Sequence, residues 1–103
     1  MDKVFLMYDL KKGVSMGDYK KWSREVDQKI TPRQEGVNKF EVYEIKGAEK
    51  GNPPCQIMED IEVESWGKWQ EVLKGKGMER VVREWNEYGD ADTVVSIWGN
   101  KIE

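Results

Sequence analysis

Two carboxylates lie at the edge of, or within, otherwise apolar surfaces of this chain. Asp27 follows Val26 at the border of an apolar helix face, and Glu59 shares its strand parity with Ile57 and Ile61. Burial disfavours the charged form of a carboxyl group, so its pKa rises and it can exchange a proton with a bound molecule near neutral pH. We therefore predict Asp27 as the principal general acid or base and Glu59 as a second catalytic carboxylate.

Each carboxylate also has an ordinary structural interpretation. Asp27 could be a solvated helix residue or could pair with Lys20 or Arg24. Glu59 could be neutralised by a lysine or an arginine, as buried acids often are. Metal binding by the acidic run 59–64 is disfavoured, because carboxylates that alternate along a strand do not form a compact set of ligands.

The absence of histidine narrows the possible chemistry further. An imidazole base and a histidine-ligated metal are excluded within this chain. The lone Cys55 follows two prolines and has no histidine partner, which argues against a nucleophilic role, and it cannot form an intrachain disulfide. We expect neither a metal nor a cofactor.

Three aromatic side chains lie near the ends of three predicted strands: Tyr8, Tyr43 and Trp98. If they share one face, they form an aromatic-walled pocket suited to a flat ligand of the pyrrole or indole type. A tyrosine hydroxyl there could orient a carbonyl group or relay a proton. The alternative is that these residues pack in the core or in a dimer interface.

Length and composition limit the class of protein. The 103 residues suit one domain, residues 1–103, with a single core. A net charge of −3 gives no electrostatic footprint for nucleic acid or an anionic membrane. No apolar run approaches the ~20 residues of a membrane helix, and the short, acidic start does not resemble a signal peptide. We expect a cytoplasmic protein.

The first half of the chain predicts a strand, a helix and a strand. Residues 3–8 are almost continuously apolar, as in a strand covered on both faces. Ser15 and Asp18 resemble a capping box, and the helix that follows ends at Thr31, which precedes a proline. Its apolar face carries Tyr19, Trp22, Val26 and Ile30. Residues 37–45 then predict the second strand.

The second half repeats the plan. After a loop at 46–54, residues 56–63 predict the third strand, and Ser65 is a good N-cap for a second helix. Glycines at 75 and 77 interrupt this helix before it resumes and continues to Gly89. Residues 93–98 predict the fourth strand.

This order, β-α-β-β-α-β, predicts an α+β, ferredoxin-like fold with a four-stranded antiparallel sheet. Two helices can cover only one face of such a sheet, yet both terminal strands offer apolar side chains to both faces. A second copy of the chain is the expected cover, giving a homodimer with an α+β barrel.

A family resemblance rests on residues spread over most of the chain. They are Tyr19, Trp22 and Asp27 on the first helix, Gly36, Val37, Phe40, Val42 and Tyr43 at the second strand, and Ile57, Glu59, Ile61, Val63, Ser65 and Trp66 beyond it. With this topology the chain resembles the RedY-like family of the dimeric α+β barrel superfamily and, more distantly, EthD-like proteins. EthD-like and antibiotic-biosynthesis monooxygenase relatives often carry a histidine near the end of the first helix, where this chain has Asp27.

The resemblance implies a part in the biosynthesis of prodiginine-type pigments and related secondary metabolites. We therefore expect a small enzyme or enzyme accessory that acts on an aromatic, pyrrole-type intermediate. Its chemistry would be cofactor-independent acid–base assistance to condensation, cyclisation or oxygenation. The alternatives are a non-catalytic dimer that binds or carries the metabolite, and a structural or regulatory dimer without a small ligand.

Overall fold

The predicted strand order is confirmed by the computed structural model, which describes residues 1–103. The four strands are β1 (Asp2–Tyr8), β2 (Val37–Glu44), β3 (Ile57–Val63) and β4 (Val95–Gly99). They form one antiparallel sheet in the order β2-β3-β1-β4. The fold is therefore α+β and ferredoxin-like, as the order of elements in the sequence predicts.

The first helical segment is continuous but changes its geometry along its length. Helix α1 (Met16–Trp22) is followed by a π-helical stretch at Ser23–Asp27, a short α2 (Gln28–Ile30) and a 3-10 turn at Thr31–Arg33. The predicted N-cap is confirmed, since the Ser15 side chain accepts a hydrogen bond of 3.1 Å from the backbone N–H of Asp18. The sequence did not predict the π-helical stretch.

The second helical segment is divided, as the glycines predict. Helix α3 (Trp66–Lys74) begins at the N-cap Ser65, whose hydroxyl accepts a 3.0 Å hydrogen bond from the N–H of Lys68. A 3-10 turn (Lys76–Met78) links it to α4 (Glu79–Tyr88). Both helices pack on the same face of the sheet as the first segment, which buries Trp69, Met78 and Val81 in the common core.

The strand register assigns Glu59 to the helix-covered face. Glu59 is paired with Leu6 on β1 and with Val42 on β2, while Ile61 is paired with Val4 and Phe40. Directly opposed residues share a face of the sheet. Glu59 therefore lies within the core layer, between the sheet and the helices.

The other face of the sheet has no helical cover. Tyr43, Val95 and Ile97 are about half exposed there, and Ile97 is paired with Phe5. This uncovered face also holds charged side chains, including the ion pair between Lys3 and Asp60. A mixed apolar and charged face of this kind is typical of a surface that meets another protein.

The last strand begins two residues later than the sequence predicts. Thr93 ends a 3-10 turn (Ala91–Thr93) instead of opening β4. Its hydroxyl donates to the carbonyl of Asp90 at 2.7 Å and accepts from the N–H of Asp9 at 2.9 Å. These two bonds hold Thr93 in a turn, where its side chain satisfies backbone groups that a strand would leave to its neighbours.

The helices are all too short or too polar to span a lipid bilayer.

Candidate functional site

A cavity of about 290 Å³ lies between the sheet and the helices, and both predicted carboxylates line it. Nine of its 13 lining residues are hydrophobic, with Phe40, Trp69 and Trp85 as its aromatic walls. The exposed lining residues, which include Leu73 and Val82, mark its opening beside α3 and α4. A cavity with this lining suits an apolar small molecule.

Asp27 is the last residue of the π-helical stretch, and it lines this cavity. A π turn contains more residues than an α turn, so it rotates the residues after it relative to a regular helix. Asp27 is only 3% exposed, although regular helical spacing from Tyr19 assigns it to the border of the apolar face. Such π segments often occur at functional sites.

A neighbouring hydroxyl holds one oxygen of Asp27. Thr31, four residues further along the helix, donates a hydrogen bond of 2.7 Å from Oγ1 to Oδ1 of Asp27. The expected alternatives, pairing with Lys20 or Arg24, are absent, since Lys20 pairs with Glu44 instead. The second oxygen, Oδ2, accepts no hydrogen bond from the protein and can meet a bound molecule.

Glu59 is held by a tyrosine and not by a cation. The Tyr8 hydroxyl donates a hydrogen bond of 2.6 Å to Oε2 of Glu59, and the same hydroxyl lies 2.6 Å from the hydroxyl of Tyr19. Glu59 is 3% exposed and forms no salt bridge, so the structural alternative of a lysine or arginine partner is not realised. Its Oε1 atom is free of protein partners.

Burial separates the pKa values of the two carboxyl groups. Desolvation raises the pKa of Asp27 to about 6, and the Thr31 hydrogen bond partly opposes this rise. Desolvation and then the charge of Asp27 raise the pKa of Glu59 to about 8, against the hydrogen bond from Tyr8. At neutral pH, Asp27 is mainly ionised and Glu59 mainly protonated. The cavity therefore brings together two carboxyl groups of different acidity, an arrangement that can support proton transfer.

The sequence matches a known protein family over nearly its whole length. The family model described as REDY-like protein HapK covers residues 2–102. The chain belongs to this REDY-like HapK family. No curated protein matches the sequence.

Solved structures agree with this membership at the level of the fold. HapK from Hahella chejuensis has a TM-score of 0.81 at 16% identity, with 99% of this chain and 93% of that chain covered. An EthD family protein from Bacillus halodurans has a TM-score of 0.77 at 12% identity, with 99% of both chains covered. A dimeric ferredoxin-like protein from Bacteroides fragilis has a TM-score of 0.71 at 11% identity, with 97% and 95% covered.

Within this member of the HapK family, the three predicted aromatic residues do not form one wall. Tyr8 is fully buried as the partner of Glu59 and does not line the cavity. Tyr43 lies on the uncovered face, where its hydroxyl donates to Glu41 at 2.7 Å. Trp98 is half exposed and stacks on Trp66 with ring centroids 5.8 Å apart.

Strand register explains this correction. Tyr8 is paired with Ile57 and Tyr43 with Met58, so the two tyrosines lie on opposite faces. Trp98 is paired with Val4, at the other end of β1 from Tyr8. These three side chains therefore do not wall one pocket within the chain.

The aromatic walls that the structure shows were not predicted from the sequence. Trp69 and Trp85 have helical spacing, which is equally typical of core packing and of a cavity wall. The partner of Asp27 had a usable signal, since Thr31 follows it at the helical spacing of four residues. The proline after Thr31 predicts only the end of the helix and not this hydrogen bond.

The cavity offers few ligands to a metal ion. Asp27 and Glu59 are its two acidic residues, and no group of three or more histidine, cysteine, aspartate or glutamate side chains is positioned to hold a metal. What the arrangement can do with its own residues is bind an apolar molecule and exchange protons with it through Oδ2 of Asp27 and Oε1 of Glu59.

Proposed function

We propose that this protein is a small biosynthetic enzyme, or an enzyme accessory, that moves protons on an aromatic, pyrrole-type secondary metabolite. The observation that carries this proposal is that Asp27 and Glu59 line one apolar cavity. The pigment-type substrate class comes from the family resemblance, and the walls of the cavity agree with a flat, apolar molecule.

The chemistry we propose is cofactor-independent acid–base assistance to a condensation, cyclisation or oxygenation step. Asp27 has the lower pKa of the two carboxyl groups and serves as the base, taking a proton from the bound molecule on Oδ2. Glu59 remains protonated at neutral pH and serves as the acid. Paired carboxyl groups with separated pKa values can perform both halves of a proton transfer without a metal.

Conservative substitutions test this function. Pyrrole aldehydes and ketones serve as trial substrates, and turnover and binding are measured for Asp27→Asn and Glu59→Gln. We expect each variant to lose most of its turnover with little loss of binding, because the shape of the cavity is kept while the proton donor or acceptor is removed. Glu41→Gln, on the uncovered face, is the matched control. Full turnover in both cavity variants would refute the carboxylate mechanism.

A non-catalytic carrier of the same metabolite is the second candidate function. The predominance of apolar residues in the cavity lining favours it, since sequestration needs no proton transfer. The same variants separate the two functions, because a carrier binds pyrrole aldehydes and ketones but converts none of them in its native form.

We also propose that the protein acts as a cytoplasmic homodimer with an α+β barrel. The uncovered face of the sheet, with Tyr43, Val95 and Ile97 half exposed, supports a second copy as its cover. The Bacteroides fragilis neighbour is described as dimeric. The buried free thiol of Cys55 agrees with a reducing compartment.

A further inference from the structure

We infer that Tyr8 and Tyr19 form a proton path that connects Glu59 to a second surface groove, separate from the metabolite cavity. This inference rests on the proposed function, because it supplies the proton that Glu59 exchanges during turnover. The groove has a volume of about 270 Å³ and shares no lining residue with the cavity.

Three oxygen-bearing side chains form the inner part of the path. The Tyr8 hydroxyl lies 2.6 Å from Oε2 of Glu59 and 2.6 Å from the Tyr19 hydroxyl. All three side chains are at most 3% exposed. Short, continuous contacts between hydroxyl groups in a dry interior are the geometry that lets a proton pass from one oxygen to the next.

The outer end of the path lies at the wall of the groove, on the first helical segment. Tyr19 and Ser23 both line the groove, together with the exposed residues Arg24 and Gln28. The buried hydroxyl of Ser23 accepts a 3.0 Å hydrogen bond from the Gln28 side chain. Tyr19 is therefore the link between the buried carboxyl group and a polar, open surface.

The metabolite cavity offers a poorer route for the same proton. Its lining is mainly hydrophobic, and hydrophobic side chains such as Leu73 and Val82 surround its opening. A bound apolar molecule would displace the water through which protons could otherwise travel. A path through the opposite side of the core would keep Glu59 in exchange with solvent while the cavity is full.

Transfer along the path conserves every proton and leaves no ionised tyrosine. When Glu59 is ionised, it takes the hydrogen of the Tyr8 hydroxyl, Tyr8 takes that of Tyr19, and Tyr19 takes one from water in the groove. Export runs through the same steps in reverse. Burial, followed by the charge of Glu59, raises the pKa of both phenols, so they pass protons on and do not remain ionised.

Infrared spectroscopy of the intact protein, with its cavity filled by a saturating concentration of indole as an unreactive flat probe, tests the path. The carbonyl stretching band of protonated Glu59 is identified by its absence in Glu59→Gln, and its shift after rapid mixing with deuterium oxide gives the exchange rate. We expect Tyr19→Phe to exchange at least about tenfold more slowly than the native protein, because one transfer step is lost. Tyr8→Phe breaks the same path at its other tyrosine and should slow the exchange of the Glu59 proton equally.

The exposed Tyr43 provides the matched control. Tyr43→Phe removes a hydroxyl on the uncovered face and should exchange at the native rate. Native exchange rates in both Tyr19→Phe and Tyr8→Phe would overturn the proton path, as would equal slowing in Tyr43→Phe. That result would leave the proposed catalysis by Asp27 and Glu59 intact. Conversely, full turnover in Asp27→Asn and Glu59→Gln would overturn the proposed function but would not change the exchange rates measured for the tyrosine variants.

Discussion

The hydroxyl of Thr31 donates a 2.7 Å hydrogen bond to Asp27 inside the cavity, one helical turn away. This bond favours the ionised form of Asp27, against the desolvation that raises its pKa. The two effects together keep the pKa of Asp27 close to neutrality. Thr31 therefore positions the carboxylate and tunes it.

Thr31→Val should raise the pKa of Asp27 above about 6, because it removes the hydrogen bond to the charged form and keeps the shape of the side chain. We also expect a loss of about 1 kcal/mol in the free energy of unfolding. A carbon-13 NMR titration of the aspartate carboxyl groups measures the shift, with Asp27→Asn assigning the signal. An unchanged pKa would show that the bond does not tune Asp27.

Glu59 should make the protein less stable as the pH rises. Its pKa is raised from 4.5 to about 8 by folding, so the neutral form is favoured in the folded state. Its contribution to stability is complete below pH 4.5 and is lost as the pH rises through about 8. The expected loss is on the order of a few kcal/mol, since each pKa unit corresponds to about 1.4 kcal/mol.

Chemical denaturation of the native protein and Glu59→Gln at pH values between 6 and 9 tests this effect. The variant cannot ionise at this position, so its stability should vary less over that range. Asp27, with a pKa of about 6, also titrates at the start of the range, so its own contribution to the slope is confined to the lower end. The same decline in both proteins would mean that Glu59 titrates as an ordinary carboxyl group.

Tyr8→Phe should raise the pKa of Glu59 further, since the lost hydrogen bond favours the charged form. It should also lower the free energy of unfolding by about 1–3 kcal/mol, because a buried carboxyl group loses its partner. Tyr43→Phe, on the uncovered face, should change stability by no more than about 0.5 kcal/mol. Thermal unfolding of the two variants gives the comparison. Equal losses of stability would contradict a stabilising hydrogen bond between Tyr8 and Glu59.

Ile97→Lys should convert the proposed dimer into a monomer. Ile97 is half exposed on the uncovered face, and a lysine there would bring a charge into the contact between two sheets. Sedimentation velocity at micromolar concentration distinguishes the two states. Val82→Lys, an exposed position on α4, is the control and should leave the dimer intact. A native protein that is monomeric at this concentration would contradict the barrel.

The sequence predicted the fold well because local signals agreed with each other. Ser15 and Ser65 mark both helix starts, and the alternation along 57–63 correctly assigns Glu59 to the apolar face. The π-helical stretch at Ser23–Asp27 has no comparable signal. Regular helical spacing therefore assigns Asp27 to the border of the apolar face, whereas the structure buries it.

The cavity walls were harder to predict than the carboxylates. The opposite parity of Tyr43 and Val42 was visible in the sequence, but which face the helices cover depends on the tertiary structure. The hydrogen bond between Tyr8 and Glu59 joins residues 51 positions apart, and strand pairing alone determines it. Long-range contacts of this kind cannot be derived from periodicity.

The pH dependence of kcat/KM is the most direct test of the central claim that Asp27 acts as a base and Glu59 as an acid. We predict a bell-shaped profile with its acid limb near the Asp27 pKa of about 6 and its alkaline limb near the Glu59 pKa of about 8. Asp27→Asn should abolish the acid limb along with most of the activity. A flat profile between pH 5 and 9 in the native protein, or an unchanged bell in both Asp27→Asn and Glu59→Gln, would contradict the mechanism.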